Sequence, residues 1–149
     1  MKPYHIFLLL LLFTACEKEV ETEAFKLDLT EVDFSDIPID CSPSLEGIII
    51  DSDTAYQAFQ DESQTDCQSD FPVLNFTTHT LLGIRKGTGG CSVKSKYWNV
   101  YVDEAAKKYV FQAILESEGD CFMLISTDFW ISIPKIPNDY TVEFVEYEY

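Results

Sequence analysis

Basic side chains are scarce in this sequence: 10 lysines and arginines stand against 26 aspartates and glutamates, leaving a net charge of −16. A surface of that sign repels phosphate backbones and anionic headgroups, which excludes nucleic acid as a partner and excludes membrane attachment by charge. Long hydrophobic runs are lacking as well. The longest, Ile6 to Phe13, would form a helix of about 12 Å against a hydrocarbon core of about 30 Å, too short to remain as a span. Histidine occurs only at positions 5 and 79. His79 has no Gly-x-Ser-x-Gly elbow or other nucleophile beside it, so the expectation is a protein that is not an enzyme. A small hydrolase using His79 or a carboxylate pair is the minor alternative, because carboxylates in so acidic a chain lie near one another by chance.

Metal motifs are also missing. The cysteines form no Cys-x-x-Cys pair, which removes the usual zinc spacing. Asp51, Asp53 and Glu62 fall on the first, third and last ligand positions of a calcium loop, but Tyr56 stands where the sharp turn needs glycine and Ala55 offers no ligand. Looser carboxylate groupings around Asp36, Asp40 and Asp51 stay open. No cofactor is expected.

The N-terminus reads as an address. Lys2, the apolar run, and Thr14-Ala15 directly before Cys16 have the order of a secretory signal, expected over residues 1–15. Phe13-Thr14-Ala15-Cys16 resembles a bacterial lipobox, with Phe13 in place of the usual leucine. Relaxed lipoboxes followed by charge, here Glu17-Lys18-Glu19, are similar to those of Bacteroidetes-type lipoproteins. The resemblance implies cleavage before Cys16, lipidation of its thiol and amine, and anchoring in the cell envelope, at the outer membrane on its periplasmic or surface face.

Residues 16–40 then carry nine acidic side chains against Lys18 and Lys26. Self-repulsion suits a tether up to about Ala24. From Phe25 the added Leu27, Leu29, Val32, Phe34 and Ile37 let the stretch pack loosely on the domain that follows, expected over residues 41–149. In an exported chain the even set Cys41, Cys67, Cys91 and Cys121 favours two disulfides, with three connectivities open.

Within that domain Ile48 to Ile50 reads as a short buried strand. Asp51-Ser52-Asp53 caps a helix to about Glu62, whose inner face carries Ala55, Ala58 and Phe59 with Tyr56 at its edge. Everything after it is of strand type. Thr80 to Ile84 is one strand. Gly87-Thr88-Gly89-Gly90 reads as a turn or loop. Ser92 to Val102 and Tyr109 to Leu115 alternate as the two arms of a long hairpin. Cys121 to Ile133 is a strand region bent at Ser126-Thr127-Asp128, and Tyr140 to Tyr147 closes the chain. The expected fold is mainly β (α+β): an antiparallel sheet or sandwich with one short N-terminal helix, stapled by disulfides.

The ordered set formed by the helix aromatics Tyr56 and Phe59, Phe71-Pro72-Val73-Leu74-Asn75-Phe76, Leu81-Leu82-Gly83, and Thr88-Gly89-Gly90 opening a strand resembles the C-terminal domain of PrcB-type protease complex subunits. Ile131 to Lys135 and Val142 to Val145 are similar to that family's last two strands. Cys91 departs from the family's aromatic, and the four-cysteine framework is not part of its pattern. The resemblance implies a non-catalytic module that associates with, stabilises or delivers an exported protein, a protease being the family's case. The Gly-Thr-Gly stretch also resembles the glycine-rich loops of chagasin-type protease inhibitors, which gives inhibition as an alternative. A third reading is a structural or sugar-binding envelope lipoprotein stacking glycans on exposed Trp98 or Trp130. The candidate partner-binding residues are Arg85, Lys86, Gly87, Thr88, Gly89 and Gly90, flanked by Lys94 and Lys96. These basic residues in an acidic chain predict an acidic contact surface on the partner. A solvated strand face is the competing account.

Overall fold

The computed structural model describes residues 29–39, 41, 46–63 and 71–145. The expected signal peptide, the lipidation site Cys16, the first part of the tether and Cys67 lie outside the described residues. What is described is mainly β with one helix, as the alternating pattern predicts.

Four long strands build the frame: β4 (His79–Gly89), β5 (Ser92–Asp103), β6 (Lys108–Glu118) and β7 (Leu124–Pro134). They come as two antiparallel ribbons facing each other, β4 with β7 and β5 with β6. The chain passes between ribbons twice at one end of the molecule, at Gly90-Cys91 and at residues 119–123. Shorter strands widen each ribbon into a four-stranded sheet. Sheet one has the order β1 (Thr30–Glu31), β5, β6, β8 (Thr141–Val145). Sheet two has the order β2 (Ser35–Asp36), β7, β4, β3 (Ile48–Ile50). All pairings are antiparallel except β6 with β8.

The stretch that sequence packs loosely on the domain supplies β1 and β2. It crosses from one sheet to the other, with Val32 N donating to the Val100 carbonyl and Ile37 N to the Trp130 carbonyl. Among the described residues strand pairing therefore begins at Thr30, inside the segment read as tether.

The helix α1 (Asp53–Ser63) starts where the capping signal places it. Ser52 Oγ accepts from Ala55 N at 3.3 Å, satisfying one otherwise orphaned donor, and the Ser52 carbonyl accepts the first intrahelical bond from Tyr56 N at 3.0 Å.

Strand alternation sorts the apolar side chains into two cores. Leu82, Ile84, Val100, Phe111, Ala113, Phe129, Ile131 and Ile133 fill the space between the sheets. The opposite face of sheet two presents Leu81 and Trp130, which pack with Ile39, Cys41, Ile50, Tyr56 and Phe76 beneath the helix. The centre of β7 is thus covered on both faces, and residues 129–133 are all buried. Burial of each such large side chain stabilises the fold by about 1.5–3 kcal/mol relative to exposure. Gly83 is fixed by this second core. It pairs directly with Trp130, and a Cβ there would lie 2.3 Å from the indole ring.

Two sequence readings differ from the structure. Gly87-Thr88-Gly89 continues β4, paired with Ser126, Ile125 and Leu124. Glycines suggest a turn, but the ladder to β7 supplies their backbone partners, and the actual crossing waits until Gly90. Ser126-Thr127-Asp128 likewise makes no break in β7, whose register with β4 is continuous.

Candidate functional site

Both cores end at the same level. Beyond Ile84, Val100, Ala113 and Phe129 the four long strands run on without flanking strands. Among the described residues β1 and β2 reach only Tyr101–Val102 and Ile131–Ser132, β3 only Leu81–Gly83, and β8 only Lys108–Gln112. The result is a two-ribbon prong projecting from the body. Strand periodicity continues the inward faces into it as Lys86 and Thr88, Lys96, Leu115 and Ser117, and Ile125 and Thr127. A wholly apolar interior gives way to one that mixes polar side chains with Leu115 and Ile125.

Polar contacts and one covalent bond hold the prong. Thr88 Oγ1 lies 3.4 Å from Ser117 Oγ, and Ser117 Oγ donates to the Gly89 carbonyl at 2.5 Å. At the tip the two crossings are tied by Cys91 N to the Glu118 carbonyl at 2.8 Å and Gly90 N to the Met123 carbonyl at 3.1 Å. A Cys91–Cys121 disulfide joins them, with Cα atoms 4.8 Å apart. Gly119 turns with φ +83°, and a Cβ there would lie 2.5 Å from Cys91 Sγ, so glycine is required next to the bridge. Cys41 is also disulfide-bonded and sits buried under the helix, where its carbonyl accepts from Trp130 Nε1 at 2.8 Å.

The predicted partner-binding residues all belong to this prong, in altered roles. Arg85 Nε donates to Asp128 Oδ1 at 2.8 Å, so its charge is matched across the ribbon. Lys86 is only 8% exposed. Lys94 lies 3.5 Å from Glu116, and Lys96 sits over the Trp98 ring, 5.6 Å from its centroid. The Glu116 carboxyl is held below its ordinary value by a hydrogen bond from Ser95 Oγ and by the Lys94 charge. Two of the four basic charges, Arg85 and Lys94, are therefore matched by a carboxylate in place. Gly87 and Gly89 are exposed, while Gly90 is buried at the crossing.

What the prong displays is apolar. Phe122 is fully exposed, Leu124 82% and Met123 57%, with Val93 and Tyr97 exposed nearby in β5. Sequence reading absorbed Phe122-Met123-Leu124 into a strand. The available signal was their place directly after Cys121, in a crossing that a disulfide holds at the surface.

Other candidates fall elsewhere. Trp130 is 4% exposed, sealed between the helix and sheet two, and cannot stack on a glycan. Trp98 packs against Phe129 and donates its Nε1 to Asp36 at 2.7 Å. His79 opens β4 at the far end, its Nδ1 2.8 Å from the Thr78 hydroxyl. Among the described residues no three His, Cys, Asp or Glu side chains cluster to hold a metal.

No protein-family model matches the chain, and neither a curated protein nor a solved structure does.

Proposed function

We propose that this chain is a lipid-anchored, non-catalytic binding module of the cell envelope that engages an exported protein through the disulfide-held prong. The observation that carries this reading is the exposed Phe122-Met123-Leu124 at the tip. Large apolar side chains cost free energy in water and mark contact surfaces when grouped. Here the staple keeps them presented, since neighbouring strands and the Cys91–Cys121 bridge fix the crossing that carries them.

The envelope setting is supported by the lipobox-like segment ending at Cys16 and by cysteine oxidation, which suits an oxidising compartment. The PrcB-like resemblance supplies a protease as the class of partner to test first. Inhibition by insertion of a free glycine loop has less support, because Gly87 to Gly89 are paired strand residues.

The test is a photo-crosslinking amino acid placed at Phe122 in the full chain in native cells, with Glu104 on the opposite end of the molecule as control. The expected result is one discrete adduct from position 122 and none from 104, with Leu124→Asp abolishing it. Equal labelling from both positions would remove the proposal.

A further inference from the structure

Resting on that reading, we infer that the prong binds its partner by strand addition. An extended, alternately apolar segment of the partner pairs antiparallel or parallel with the open edge of β7 at Leu124 to Thr127, continuing the track that β2 occupies higher up the same edge.

The direction of the β7 backbone groups follows from two hydrogen bonds. The Trp130 carbonyl accepts from Ile37 of β2, so even-numbered residues of β7 point their N–H and C=O toward the β2 side. The Met123 carbonyl accepts from Gly90 at the end of β4, so odd-numbered residues point the other way. In a strand these directions alternate. Leu124 and Ser126 therefore aim both groups at the open edge, where no described strand lies opposite them, since β2 pairs only with Ile131 and Ser132.

Among the described residues four edges are open along the prong, and their chemistry separates them. Edge strands avoid foreign pairing with charge, lysine above all, and with bulges. The β5 edge carries Lys94 and Lys96 and a register shift between Val93 and Ser95. The β6 edge carries Glu116 and Glu118, and the β4 edge Arg85 and Lys86. From Leu124 to Thr127 β7 has no charge, no proline and no register shift. It is the unprotected edge.

A cavity lies beside this edge, of about 180 Å³ and lined by Ile37, Lys96, Trp98, Asp128 and Phe129 among others. It opens between the edges of β5 and β7 just beyond β2. Alternate side chains of an added strand would enter it and meet aromatic walls, while Phe122 and Leu124 cover the outer part of the segment. This is how main-chain pairing supplies affinity and pockets supply specificity in strand addition. The net charge of −16 disfavours a second copy of this chain and selects a partner segment without net negative charge.

The experiment pans a displayed library of random octapeptides against the full chain in detergent. Enriched peptides are then measured on the wild type, Ser126→Pro and Phe122→Asp. Proline at 126 removes an outward N–H and leaves the ladder to β4 intact, the one strand position type that tolerates it. We expect alternately apolar peptides whose affinity falls at least tenfold in Ser126→Pro. On the wild type, where folding of a variant is not in question, bound peptide should protect the Leu124 and Ser126 amides from hydrogen exchange. No enriched peptide, or peptides that leave those amides unprotected, would overturn the inference. So would a dimer of the chain that Ser126→Pro dissolves, which assigns the edge to self-pairing. Binding lost in Phe122→Asp but kept in Ser126→Pro overturns strand addition and spares the apolar tip as partner surface. Binding indifferent to both removes the two together.

Discussion

The body and the prong are made from the same four strands and are held by different forces. In the body, side chains such as Phe111 and Ile131 are wholly buried, and the sheets are widened by β1, β2, β3 and β8 and covered on one side by α1. In the prong the inward positions mix Lys86, Thr88, Ser117 and Thr127 with Leu115 and Ile125, no flanking strand is found among the described residues, and a disulfide closes the end. Apolar packing is strong and insensitive to pH and redox state. Hydrogen bonds and surface ion pairs contribute about 1 kcal/mol or less each. The molecule thus separates a stable platform from a surface that a covalent bond holds in shape.

The sharpest way to test that separation is to attack each part where it is strongest. Phe111→Ala, which empties the centre of the inter-sheet core, should cost about 3–5 kcal/mol in urea unfolding. Replacing Cys91 and Cys121 together by alanine should cost about 2–4 kcal/mol, with increased proteolysis confined to the prong. Gly83→Ala forces a Cβ into the Trp130 ring and should cost about 1–3 kcal/mol as overpacking. Gly89→Ala in the same strand meets nothing within 4 Å and should stay within about 0.5 kcal/mol of wild type. If the two glycine variants behaved alike, the contrast between a packed body and an open prong would fail.

The smallest effects are those of pH, and they divide along the same line. Glu116, in the prong, has its carboxyl lowered by Ser95 and Lys94. Its contribution is present above the ordinary value of 4.5 and is lost as pH falls through the lowered folded value. Hydrogen exchange of residues 113–117 should accelerate there, and Glu116→Gln should flatten the dependence. Tyr140, on the body, is pushed up to about 12 by its hydrogen bond to Glu104. Its contribution is present below 10 and is lost as pH rises through about 12, so a spectroscopic titration of the wild type should show one late tyrosine that Glu104→Gln returns toward the ordinary value.

Most of the body was legible in the residues. Ser52 marked the helix start, Ile48 to Ile50 the short strand, and the alternation of Trp98, Val100 and Val102 against Tyr109, Phe111 and Ala113 the hairpin, because each signal is local. The prong was misread for the same reason. Gly87-Thr88-Gly89 has turn composition, and only its long-range ladder to Leu124 through Ser126 makes it strand. The sequence cluster Arg85, Lys86, Lys94 and Lys96 suggested a basic contact surface, but the carboxylates that face two of its members, Asp128 at Arg85 and Glu116 at Lys94, lie far along the chain. Pairing of Cys91 with Cys121 was one of several open possibilities until the two crossings were seen side by side. Thr30–Glu31 and Ser35–Asp36, with two paired residues each, are too short for any periodicity to reveal.

Native-state hydrogen exchange, followed residue by residue in the wild type and in the Cys91→Ala, Cys121→Ala double variant, which keeps the bridge at Cys41, tests the central claim most directly. The account predicts that the variant loses more protection at residues 85–88, 113–117 and 125–127 than at residues 81–84, 109–111 and 129–133, whose loss follows the change in global stability alone. A uniform loss across both sets, or no loss in either, would contradict a prong that opens separately from the body and is held by its disulfide.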